Sequence, residues 1–144
     1  MNYNYSRTQL AAIIKVAEAM IAVDGKVENV ETALYGREMV RIKVSAEEFE
    51  AAYQQSCNLK YGEALKTISM FSHTEKKHVA ALLLAIMAID GNIDESEQKL
   101  WSFVSNLCSF PSITVKDVLD IMNIQIHGNV DFTKLIEGVL EKTY

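Results

Sequence analysis

The chain has 144 residues, a length that suits one domain and leaves little room for two. With 49% hydrophobic residues, 23% charged residues and a single proline, it has the composition of a globular protein, which excludes a disordered or collagen-like chain. Fourteen basic and nineteen acidic residues give a net charge of −5, which does not favour binding to nucleic acid or to an anionic membrane. We therefore expect one globular domain over residues 1–144.

Two cysteines, Cys57 and Cys108, are too few for a disulfide scaffold, and they form no C-x-x-C pair. We expect both to be reduced thiols that fill the core of a cytoplasmic protein. Lys15 and Glu18 interrupt the first apolar run, which argues against a secretory signal. The longest uncharged apolar stretch, residues 79–89, is about half as long as a membrane span, so we expect a buried helix there.

Apolar residues at helical spacing predict a one-sided helix over residues 8–23, which ends at Asp24-Gly25. Glycine reaches the left-handed conformation that a helix end needs, so this dipeptide is a stop signal. A second helix is predicted over about 28–41, with Val40 among its inward-facing residues.

Serine or aspartate followed three residues later by glutamate is a capping-box sequence, and it opens three of the remaining helices. These pairs are Ser45 with Glu48, Ser72 with Glu75, and Asp94 with Glu97. The remaining helices are expected at about residues 45–55, 63–70, 72–89, 94–110, 115–126 and 132–142. From Val79 onward the third of these is uncharged on every side, which predicts that it is the central helix. No sustained strand alternation is present, so the chain is predicted to be all-α, with about seven or eight helices.

The sequence repeats itself at a separation of 66 residues. Residues 13–34 and 79–100 share six identities in 22 positions, against roughly one or two expected by chance. The shift places Asp24-Gly25 on Asp90-Gly91, within a duplicated helical hairpin. We predict half-repeats at approximately 8–70 and 74–142, which close on each other around a pseudo-twofold axis.

Both copies carry the same acidic turn, DGKVENVE and DGNIDESE. It matches the second half of an EF-hand calcium loop, but the first and third ligand positions would be Met20 and Ala22, or Ile86 and Ala88. Apolar side chains cannot coordinate a hard cation, so a true EF-hand is excluded.

A pseudo-twofold pairing would bring the acidic residues of the two turns together, and clustered carboxylates repel unless a cation or protons lie between them. The candidate metal ligands are Asp24, Glu28, Glu31, Asp90, Asp94 and Glu97. Oxygen-only ligands would select Ca²⁺, Mg²⁺ or Mn²⁺ over zinc. A purely structural interpretation explains the same residues, because helix capping and turns use the same residue types.

Paired hairpins with a helix-ending Asp-Gly, a hydrophobic residue two positions later and a glutamate four beyond that resemble the TerB-like family, named for bacterial tellurite resistance. MIAVDGKVENVE and IMAIDGNIDESE carry the resemblance. It implies an all-α domain of about seven helices without established catalytic activity. It also implies a divalent-metal or acidic interaction site and roles in stress response or membrane-associated assemblies. The acidic positions of the family carry over to Asp24, Glu31, Asp90 and Glu97.

Several isolated residues are predicted to have structural roles. His73 and His78 are five apart, which makes a poor metal pair on a helix, and we expect both on the surface. Arg41 belongs to a small basic strip that is interpreted as a solvated face. Trp101 is expected in the core, as are the helical methionines and the apolar stripe of the sixth helix, which includes Leu107.

The sequence contains no phosphate loop, dinucleotide fingerprint, nucleophile elbow or H-E-x-x-H motif, so no catalytic residue is predicted. The leading hypothesis is a non-enzymatic module that binds another protein, and a divalent cation through its acidic turns. Peripheral attachment to a membrane assembly is compatible with it; nucleic-acid binding and a membrane span are not expected. One alternative is a metal-dependent hydrolase that uses the same carboxylates. The other is a motif that only builds the fold, with the function on another surface.

Overall fold

A computed structural model describes residues 3–23, 29–89, 93–125 and 130–143, with side chains except at 29–32, 130–131 and 142–143. These residues form eight helices and no strand, so the predicted all-α class is confirmed. The helices are α1 (Arg7–Ala22), α2 (Asn29–Arg41), α3 (Ala46–Cys57), α4 (Tyr61–Ser69), α5 (His73–Ala88), α6 (Glu95–Cys108), α7 (Val115–Ile121) and α8 (Val130–Thr143).

Helix α5 is the centre of the domain. From Val79 to Ala88 every side chain is at most 1% exposed, which confirms the predicted central helix. It packs against α1, α2, α6, α7 and α8, while α1 forms the other major layer with α3 and α4. Trp101 of α6 is fully buried against this core, as predicted.

Side-chain caps fix the starts of the helices. The predicted pair Ser72 and Glu75 forms a capping box at α5, and the side chain of Ser45 accepts from the backbone of Glu48 at α3. Ser6 and Gln9 form a further capping box at the start of α1. It was not predicted, because the first helix was inferred from the spacing of its apolar residues alone.

Helix α7 is shorter than predicted. It ends at Ile121 rather than near residue 126, because Asn123 adopts a left-handed conformation with φ 54°. Asparagine tolerates this conformation better than most residues with a side chain, so it can end a helix as glycine does.

Four apolar or sulfur-containing residues predicted to face inward are exposed instead. Val40, Met70 and Leu107 are 74%, 79% and 51% exposed, and Cys57 is an exposed free thiol. Val40 follows buried Met39 and Leu107 precedes buried Cys108, so each lies about 100° around its helix from a side chain that faces the core. Met70 is the residue that follows the last residue of α4.

The two predicted hairpins correspond to α1–α2 and α5–α6, and α1 packs on α5. Their turns, Asp24-Gly25 and Asp90-Gly91, lie outside the described residues. The pseudo-twofold relation and the half-repeats therefore stay predictions. No helix in the described ranges is long and apolar enough to cross a membrane.

Candidate functional site

Of the two predicted acidic turns, side chains are described only in the last part of the second, residues 93–97. Asp24, Glu28 and Asp90 lie outside the described residues, and so does the side chain of Glu31. Their convergence on a cation stays a prediction. Elsewhere, across the ranges that the structure describes, no three His, Cys, Asp or Glu residues are grouped so that they could hold a metal ion.

Asp94 and Glu97, the described members of the six, form a capping box at the start of α6. Asp94 Oδ1 accepts from the backbone N–H of Glu97 at 2.8 Å, and Glu97 Oε1 accepts from the backbone N–H of Asp94 at 3.4 Å. Glu97 is only 2% exposed. Both carboxylates thus cap the first turn of α6.

A buried polar network, which the sequence did not indicate, joins α5 to α2 and to the segment before α1. His78 is 1% exposed, and its Nε2 lies 2.5 Å from Oε2 of Glu38 in α2. Its Nδ1 lies 2.7 Å from the hydroxyl of Tyr5, in the segment before α1. The expectation that His78 is a surface residue was therefore wrong. It lies four residues before Leu82, on the buried stripe of α5, and that spacing was the signal available in the sequence.

Arg41 completes this network. Its Nε and Nη2 donate to the two carboxylate oxygens of Glu38 at 2.6 and 2.8 Å, a bidentate pair. The same Nη2 donates to the carbonyl oxygen of Ile121 at 2.6 Å, which joins α2 to the end of α7. Arg41 is therefore not part of a freely solvated basic strip, as the sequence suggested.

Electrostatics make Glu38 the charged centre of the network. Burial alone raises its pKa, but hydrogen bonds from His78 and Arg41 outweigh burial and hold the pKa below its ordinary value. An ionised carboxylate only accepts, so His78 Nε2 carries the hydrogen and donates it to Glu38. In the neutral imidazole, Nδ1 then accepts from the Tyr5 hydroxyl, whose pKa is raised by burial.

A carboxylate, an imidazole and a hydroxyl in a chain have the order of a catalytic relay, but their surroundings do not suit catalysis. Tyr5 is 9% exposed and packs on Phe71, and the ring of Tyr3 stacks on His78 with centroids 3.9 Å apart. Within the described residues, Tyr3 thus covers the imidazole and Phe71 packs on the ring of Tyr5. The network instead fastens the N-terminal segment and α2 to α5.

A cleft opens above this network, between α5 and α7. It has a volume of about 320 Å³, and its lining residues are Tyr3, His73, Thr74, Lys77, Asp117, Asp120 and Ile121. A second hollow of about 240 Å³ shares Tyr3, Asp120 and Ile121 with it and adds Arg41. The cleft thus combines an aromatic wall with side chains of both charges.

The second surface feature lies where α4 meets α6. Phe103 and Leu107, one turn apart on α6, are 54% and 51% exposed. Leu107 also lines a hollow of about 280 Å³ together with Gly62, Leu65, Lys66 and Ser69 of α4. Below it, Cys108 Sγ lies 3.6 Å from the carbonyl oxygen of Leu65 and fills the helix–helix contact. We call Phe103, Leu107 and this hollow the α4–α6 face.

The architecture recurs in a solved structure. The protein of unknown function PG1108 from Porphyromonas gingivalis is 33% identical to this chain, and the two structures superpose with a TM-score of 0.74. The match covers 85% of this chain and 93% of that one. The chain belongs to the same family as this protein. No family model matches the sequence, and neither does any curated protein.

Proposed function

We propose that this chain is a non-enzymatic helical module that binds another protein through the α4–α6 face. The observation that carries the proposal is the exposure of Phe103 and Leu107, both about half exposed, beside a hollow of about 280 Å³. Large apolar side chains grouped on a surface are typical of interaction sites, because covering them removes apolar area from water.

The chemistry of the face favours an amphipathic helix as the occupant. Two apolar residues one turn apart beside a groove match the spacing of apolar residues on a partner helix. Lys66 lines the hollow, and within the described ranges no carboxylate lies within ion-pair distance of it. A partner helix with an Asp or Glu beside its apolar stripe would pair with Lys66. On a chain of net charge −5, this lysine makes the face locally favourable for an acidic partner.

The size of the face suits a transient interaction. Two exposed apolar side chains cover much less than the roughly 800 Å² per partner of a standard stable interface. We therefore expect a dissociation constant in the micromolar range, dominated by Phe103 and Leu107 as central residues.

We further propose, from the repeated motif, that the chain is TerB-like, that it acts in stress response and that its acidic turns bind a divalent cation. The resemblance also supports a role in a peripheral membrane assembly. A cytoplasmic location rests on the two free thiols, Cys57 and Cys108. The hydrolase alternative would require the acidic turns to hold a metal ion.

The test is selection of helical peptides from a displayed library on the immobilised protein, followed by anisotropy titrations of individual peptides. Selected peptides should carry apolar residues at i, i+3 or i+4, and i+7, together with an acidic residue. Phe103→Glu should weaken their binding about tenfold or more, since hot-spot residues contribute about 2 kcal/mol or more. Lys66→Glu should shift the selection towards basic peptides.

Val40→Glu is the matched control, because Val40 is an exposed apolar residue on α2, away from the face. It makes the same apolar-to-acidic change and should leave peptide binding unaltered. Equal losses in both variants would contradict the proposal. If the parent protein forms a dimer in sedimentation experiments and Phe103→Glu abolishes it, the occupant is a second copy of the chain, and the partner-helix proposal is wrong.

A further inference from the structure

The cleft between α5 and α7 is lined by Lys77, a positively charged side chain whose hydrogen-bond donors are not all used. Lys77 Nζ lies 3.6 Å from Asp117 Oδ2, which is longer than a hydrogen bond. Asp117 is already engaged, since its Oδ2 accepts from the backbone N–H of Thr114 at 2.9 Å. The side chain of Lys77 is 31% exposed, so its ammonium can donate to a third group in the cleft.

The same cleft is lined by Asp120, an acidic side chain without a partner in the described residues. Asp120 lies one turn after Asp117 on α7, and its side chain is exposed. Within the described part of the chain its carboxylate makes no ion pair and no hydrogen bond. Arg41 lines the adjoining hollow, but its guanidinium is held by Glu38 and the carbonyl oxygen of Ile121, so it does not neutralise Asp120.

A ligand with a single charge therefore meets an opposing charge in this cleft. An anion could pair with Lys77, but it would lie beside Asp117 and Asp120. A cation could pair with Asp120, but it would lie beside Lys77. A zwitterion satisfies both sites, because Lys77 and Asp120 line the same cleft, and Asp120 lies one helical turn, roughly 5–6 Å between Cβ atoms, beyond the Asp117 carboxylate that Lys77 approaches. One small molecule can therefore reach from the Lys77 ammonium to the Asp120 carboxylate.

We propose that this cleft binds a small zwitterion of the α-amino acid type. Its carboxylate accepts from Lys77, and its ammonium donates to Asp120. Its apolar side chain lies against Tyr3 and Ile121, and a volume of about 320 Å³ is at the lower end of ligand pockets. The site is separate from the α4–α6 face and does not depend on the proposed function.

Three ligands that share a phenyl ring test the charge requirement by nuclear magnetic resonance titration at pH 7. Phenylalanine carries both charges, phenylpropionate lacks the ammonium, and phenethylamine lacks the carboxylate. We expect phenylalanine to shift backbone amide signals in the first turns of α5 and in α7. Each singly charged analogue should bind about tenfold or more weakly, because one charge-assisted hydrogen bond is lost and one opposing charge remains.

Variants assign each charge to its residue. Asp120→Asn should weaken phenylalanine binding about tenfold and leave phenylpropionate binding unchanged or tighter. Lys77→Gln should weaken phenylalanine binding by a similar factor and leave phenethylamine binding unchanged or tighter. The controls are Glu137→Gln on α8 and Lys116→Gln on α7, exposed residues of matched charge outside the cleft lining.

Three results would overturn the proposal. The first is equal affinity for the three ligands, and the second is the absence of cleft amide shifts at phenylalanine concentrations of about 10 mM, roughly the affinity limit of a useful small site. The third is an Asp120→Asn effect on phenylpropionate as large as that on phenylalanine, which would indicate a general change in the cleft rather than a lost ion pair.

Discussion

Replacing Glu38 with glutamine removes the charge at the centre of the buried network while keeping its volume. The carboxylate accepts three hydrogen bonds, from His78 Nε2 and from Nε and Nη2 of Arg41. A glutamine amide has one acceptor oxygen, and its NH₂ would face a donor. Each charge-assisted bond contributes about 1.5–3 kcal/mol, and the 31% exposure of Arg41 places its share at the lower end. We therefore expect Glu38→Gln to lower the free energy of unfolding by about 3 kcal/mol at pH 7.

The effect should depend on pH in a defined direction. Folding lowers the pKa of Glu38 below its ordinary value of 4.5, so the native state binds this proton less tightly than the unfolded chain does. Its contribution is complete above pH 4.5 and is lost as the pH falls through the folded-state pKa. The difference between parent and Glu38→Gln should therefore shrink below pH 4.5.

Urea unfolding followed by circular dichroism, at several values between pH 7 and pH 3, measures this difference. Glu50→Gln, an exposed carboxylate on α3, is the control and should change stability by less than about 0.5 kcal/mol. A loss below about 1 kcal/mol in Glu38→Gln, or a difference that stays constant down to pH 3, would refute the role given to this carboxylate.

Three further predictions concern the core, the acidic turns and the thiols. Leu83→Ala, at a fully buried position of α5, should cost about 2–5 kcal/mol in urea unfolding, and a smaller loss would argue against a central α5. If the acidic turns bind a cation, Ca²⁺, Mg²⁺ or Mn²⁺ should raise the melting temperature, with a gain of about 2.7 kcal/mol at a 100-fold excess over its dissociation constant. Asp24→Asn combined with Asp90→Asn should abolish that response, and unchanged melting of the parent in millimolar cation would exclude it. A thiol reagent should modify exposed Cys57 in the native state but not buried Cys108, whose pKa burial raises to about 11; equal labelling would contradict this.

The fold was predictable because its signals are local. The uncharged run from Val79 and the capping pairs at Ser72 and Asp94 each lie within a few residues, and the structure has the helices where these signals place them. The orientation of single apolar side chains was less predictable. Val40 and Leu107 each adjoin another residue suited to the core, Met39 and Cys108, and the structure buries the neighbour instead.

The buried network could not be predicted because its partners are far apart in the sequence. His78 lies 40 residues from Glu38 and 73 from Tyr5, and Arg41 reaches a carbonyl oxygen 80 residues away. Pairing among these residues depends on how α2, α5 and α7 pack. The position of His78 on the buried stripe of α5 indicated burial, but it did not indicate which acid would receive its hydrogen bond.

The most direct test of the central claim is to map a bound peptide on the protein. An isotope-labelled sample titrated with the tightest library-selected helical peptide would report each backbone amide that changes its environment. We predict perturbed amides at α4 and α6, centred on Lys66, Phe103 and Leu107, with those around Val40 on α2 unchanged. Perturbations centred on any other face, with α4 and α6 unaffected, would contradict the claim that this chain binds its partner through the α4–α6 face.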